Sequence, residues 1–114
     1  MRPRRLAAVA GAAAAAIVLA VPVHADDYDT QFEDQINRFG IYGSQDYNAW
    51  LAKIACERLA TGVDANAYQS ATFLQHNLPR GTTEGQSLQF LGAAVGHYCP
   101  ALAPRLQEAG THQG

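Results

Sequence analysis

The sequence has little of what catalysis usually requires. It holds two cysteines, one methionine and one tryptophan, and only 16% of its residues are charged. Ser44, Ser70 and Ser87 lack nucleophile-elbow glycines and a partnering base, so hydrolase chemistry has no assembled nucleophile. His76, His97 and His112 stand apart without closely spaced acidic partners, which is not a zinc pattern. No catalytic residue, metal ligand set or cofactor is therefore assigned. No stretch alternates as a strand would, and nothing repeats. Basic residues form no stripe, so nucleic acid is not an expected partner. The longest apolar run, Leu6 to Val21, falls short of the ~20 residues a membrane span needs.

That run has another meaning in its context. It follows the basic head Met1-Arg-Pro-Arg-Arg5 and precedes Val23-His24-Ala25, with small residues at −3 and −1 of a cleavage site. The order reads as a secretory signal peptide over 1–25, with an uncleaved anchor as the alternative. Residues 26–110 then form one exported domain and 111–114 a frayed tail, with no stable membrane span after processing. The formal charge of −2 includes Arg2, Arg4 and Arg5, so their removal leaves an acidic domain of −5. The expected location is the cell envelope or medium.

A domain of this size is near the limit at which burial alone stabilises it. Outside the cytoplasm, Cys56 and Cys99 most simply form one structural disulfide. A free redox thiol or half of a metal site are the rival uses, but neither cysteine has a second ligand at metal spacing.

Helical punctuation runs through the rest. Asp26-Asp-Tyr-Asp29 reads as a flexible acidic lead-in, and Thr30-Gln-Phe-Glu33 as a capping box that starts a first helix. Phe32, Ile36 and Phe39 give that helix one apolar face, and Gly40 ends it. Ser44 caps a second helix with a broad apolar arc of Tyr47, Trp50, Leu51, Ile54, Ala55 and Leu59, closed at Gly62. Asp64 is expected to cap a third, with Ala67, Ala71, Leu74 and Leu78 as its stripe and Pro79 as its stop. The fourth runs from about Gln86 to Cys99 and presents Leu88, Leu91, Gly92, Val95 and Tyr98 to the second. Its Gly92 and Gly96 are expected to allow close packing. The fold class is all-α: a small bundle of about four short helices closed by one disulfide and preceded by a signal-peptide helix.

Phe73 and His76 on the third helix, with Phe90 and His97 on the fourth, lie opposite the expected core stripes. If they converge, they form an apolar patch with polar handles, suited to a protein partner or a small apolar ligand. If they pack on the first helix instead, the patch vanishes. His97 beside Tyr98 also invites comparison with a haem ligand, although a helix-terminal imidazole bonded to a carbonyl explains it equally well.

Two segments carry a family resemblance: Ile54-Ala-Cys56-Glu-Arg-Leu59-Ala-Thr-Gly62 and His97-Tyr-Cys-Pro100. Together they resemble the domain of unknown function 732 family, small exported proteins of mycobacterial type. That family pairs a Cys-x-x-Leu-x-x-Gly segment with a downstream Tyr-Cys-Pro. Phe39-Gly-Ile41 and Phe90 fit its layout. The resemblance implies a Cys56–Cys99 disulfide in a mostly helical domain and implies no activity. The sequence thus points to an exported binding or interaction module. The alternatives are a carrier of haem or lipid and, further off, an envelope-side enzyme.

Overall fold

The computed structural model describes residues 25–106, so the leader assigned to 1–25 (except Ala25) and the tail at 111–114 lie outside the described residues. Within them the chain folds into α1 (Ala25–Asn37), α2 (Gln45–Thr61), α3 (Ala67–Asn77), α4 (Glu84–Tyr98) and a 3-10 turn (Pro100–Leu102). There is no strand among the described residues.

Local chemistry explains most of the boundaries. Ser44 Oγ accepts the Tyr47 N–H at the start of α2, and Gly62 takes φ 81° at its end. Thr83 Oγ1 accepts the Gln86 N–H at 3.0 Å while Gln86 Oε1 accepts the Thr83 N–H at 2.9 Å, so α4 opens on a reciprocal capping box.

Two expected caps are corrected. Thr30 lies inside α1, where its hydroxyl donates to the Asp26 carbonyl at 2.8 Å. The helix already includes Ala25, ahead of the expected cap, because Asp26 and Asp27 suit its positive end and nothing before Thr30 breaks it. The acidic lead-in is therefore the first turn of α1. Asn66, not Asp64, caps α3 by accepting the Gln69 N–H at 3.0 Å. Asp64 is buried instead. It accepts both a bidentate pair of bonds from Arg58 at 2.9 Å and one from Ser70 Oγ at 3.0 Å. This bond to Asp64 raises the Arg58 pKa, so the guanidinium stays charged.

The bundle is built on α2 and α4, and α1 and α3 each pack across that pair. Phe32, Ile36, Leu51, Ala55, Leu59, Leu74, Phe90, Ala94 and Val95 fill the centre at 1% exposure or less. Phe32 of α1 meets Phe90 of α4 edge to face, with centroids 5.3 Å apart. Phe90, which lies opposite the expected core stripe of its helix, is part of the core because α1 docks there, the second of the two outcomes considered. Trp50 departs in the other direction. It is 54% exposed, since α2 buries Asn48, Ala49, Leu51, Ala52, Ala55, Cys56 and Leu59 instead. Gly92 and Gly96 are exposed, and a Cβ at either would meet nothing within 4 Å. They do not serve close helix packing.

Cys56 on α2 and Cys99 just past α4 are joined in a disulfide, with their Cα atoms 6.1 Å apart. The chain-entropy model assigns a closure spanning 43 residues about 4 kcal/mol. That is comparable with the net stability of a small domain.

Candidate functional site

Lys53, Cys56, Glu57 and Ala60 recur at i, i+3, i+4 and i+7 on α2, which puts them in one row along the helix. The end of α4 brings Tyr98 and Cys99 beside that row. Pro100 then turns the chain so that Leu102 closes the far side. The result is an open-sided groove of about 440 Å³ lined by these seven residues, with the disulfide in its wall. Its surface is mainly apolar, and Lys53 and Glu57 supply its two charges.

The Lys53 end is braced from α1. Tyr98 Oη donates to Asp29 Oδ1 at 2.6 Å, and the ring of Tyr98 packs edge-on against Phe32 and Tyr28. Lys53 Nζ lies 5.3 Å from the centre of the Tyr98 ring and 3.8 Å from Asp29. Burial, reinforced by the bond to Asp29, pushes the Tyr98 pKa well above the ordinary phenol value. Its proton is held at neutral pH. The side chain of Lys53 is 55% exposed and its contact with Asp29 is long, so that ion pair contributes little.

The four candidate patch residues fall into two pairs: Phe90 and His97 pack on α1, the second of the two outcomes considered, and Phe73 and His76 lie apart from them. Phe90 is wholly buried against Phe32. His97 is stacked on Tyr28 with centroids 3.9 Å apart, and its Nε2 lies 2.7 Å from the Tyr28 carbonyl oxygen. The Tyr28 hydroxyl in turn donates to the His97 carbonyl. The outer nitrogen of His97 is thus already engaged by backbone, which argues against its use as a haem ligand. Phe73 is partly buried beneath the Arg58 guanidinium, 3.9 Å from its ring centre, and His76 is exposed. Those two line a separate shallow hollow with Arg58, Asp64, Gln69 and Thr72. Docking of α1 on α4 divides the set. No group of three or more His, Cys, Asp or Glu that could hold a metal ion occurs among the described residues. No helix among them is long and apolar enough to cross a membrane.

The groove residues missed by the sequence reading are Lys53, Glu57, Ala60, Tyr98 and Leu102. The α2 row was visible as helical spacing around Cys56. Leu102 was not, because its position depends on the turn after Pro100.

A family model described as "Protein of unknown function (DUF732)" matches residues 26–101. Two uncharacterized proteins of Mycobacterium tuberculosis, from strains CDC 1551 and H37Rv, are each 65% identical over 111 residues. The alignment covers 97% of this chain and 99% of each relative. No solved structure matches.

Proposed function

The chain belongs to the DUF732 family of proteins of unknown function, and from that premise we propose that it is an exported, non-enzymatic binding module. Its ligand or partner engages the groove beside the disulfide. The observation that carries this reading is the groove itself: about 440 Å³ of mainly apolar surface on two covalently joined helical segments. That volume lies within the range of small-molecule sites. A preorganised wall also lowers the ordering cost of binding.

Binding is favoured over turnover by the state of the titratable groups. Lys53 and Glu57 are exposed on the rim, and the Tyr98 proton is held by burial and Asp29. None of the three is placed as a nucleophile with an adjacent base. Export is supported by the order of basic head, apolar run and Val23-His24-Ala25. The disulfide supports it too, since such bonds persist in oxidising compartments.

The test is native mass spectrometry on protein harvested from the medium of an exporting cell. The expected species lacks residues 1–25, keeps its disulfide and carries an apolar adduct. Ala60→Trp, which fills the groove from an exposed position, removes the adduct. Retention of the leader overturns its removal as a signal peptide, and absence of the protein from both envelope and medium overturns export. An adduct unaffected by Ala60→Trp overturns the groove as the site, and catalytic turnover by the purified protein overturns the non-enzymatic reading.

A further inference from the structure

The two charges along the groove differ in their surroundings, and that difference selects a ligand. Lys53 shares Asp29 with Tyr98, which holds the same oxygen at 2.6 Å against 3.8 Å for the ammonium. The carboxylate is largely shielded, with 14% of its side chain exposed, whereas Lys53 is 55% exposed. The cation is therefore loosely held and free to reorient toward a better anion. Tyr98 offers no spare hydrogen, since its hydroxyl is committed to Asp29. The donor available to a ligand at this end is the Lys53 ammonium.

One turn along α2, Glu57 sits on the same rim. It forms no ion pair among the described residues. An anionic head is attracted at Lys53 and repelled further along, which fixes one direction of entry. Beyond Glu57 the lining is Ala60 and Leu102, where only an apolar tail is suited. From Lys53 to Ala60 the helix rises about 10 Å, the reach of a medium-chain acyl tail.

We propose that this groove takes a medium-chain amphiphile with an anionic headgroup, its head at Lys53 and its tail along the disulfide toward Ala60 and Leu102. The assignment rests on the binding reading and narrows it to one ligand class. Hydrocarbon on the Cys56–Cys99 wall and the Tyr98 ring provides the apolar contact. The Lys53 contact, charge-assisted and beside a low-polarity surface, provides the selectivity.

The experiment titrates the processed, oxidised protein with octanoate, 1-octanol and octylamine by calorimetry, at low salt and below their aggregation limits. Octanoate is expected to bind about tenfold more tightly than 1-octanol, as one charge-assisted contact predicts. Octylamine binds weaker still. Lys53→Gln, at an exposed position, keeps the fold and abolishes the preference of acid over alcohol. Ala60→Trp weakens all three. Circular dichroism and intact mass confirm that both variants are folded and disulfide-bonded. If the alcohol or amine equals the acid while Ala60→Trp still blocks binding, the anionic class is overturned and the groove stands. If Ala60→Trp changes nothing, or none of the three binds, the medium-chain assignment is overturned. An apolar adduct on the harvested protein that Ala60→Trp removes then still upholds the groove.

Discussion

Tyr98 serves three interactions at once: its ring carries Lys53, its edge meets Phe32, and its hydroxyl is tied to Asp29. Because its pKa is raised on folding, the unfolded chain gives up this proton first as pH climbs past about 10. The contribution is complete below that pH and is lost above it, so stability falls on the alkaline side. Tyr98→Phe removes the ionisable group and should flatten the alkaline slope of urea midpoints relative to the parent protein. At neutral pH the same variant should cost about 1.5 kcal/mol, from the lost bond to a carboxylate. Equal alkaline slopes would show that the phenol is not linked to folding. The Tyr98-Cys-Pro motif marks the residue but not its bond, because its partner Asp29 lies 69 residues away.

At the level of helices, caps were legible where the chain itself imposes the break. Ser44, Gly62 and Pro79 act through their own backbone geometry or immediate neighbours, and the structure follows them. Thr30-x-x-Glu33 and Thr83-x-x-Gln86 share one pattern, yet only the second is a cap. Pro79 and Gly81, the latter at φ 95°, interrupt the chain before Thr83, whereas Asp26 to Asp29 can continue a helix. The pattern alone lacks that distinction. The core stripe of α3 was readable for the same local reason, whereas the sequence left Phe90 between an open patch and packing on the first helix because α1 docking is a tertiary event.

Gly92 and Gly96 mark another limit of reading by motif. Their spacing suggested helix contact, and they face open space on α4. Alanine at each should stabilise the protein by about 0.5–1 kcal/mol through backbone entropy and helix propensity. Thermal midpoints of the two single variants and the double variant check this, with near-additive gains expected. A loss would show that the bare face of α4 is in use.

At the scale of the whole molecule, the all-helical class and the disulfide were legible because helical spacing runs through the chain and it holds just two cysteines. The groove was legible only in part. The α2 row could be drawn from sequence, but its opposite wall depends on how the chain folds back after Pro100. The bond from Cys56 to Cys99 makes the intervening chain a covalent ring that carries α3 and α4. Helix α1 lies outside that ring and is held by Phe32, Ile36 and the Tyr28–His97 exchange. It therefore behaves as a stopper seated in a hoop. Hydrogen exchange on the oxidised protein should release the amides of α1 ahead of those in α2 and α4, and reduction should bring the groups closer together. Whatever strips this stopper away bares the seat of Phe32 and slackens the brace behind Lys53, while the hoop itself survives.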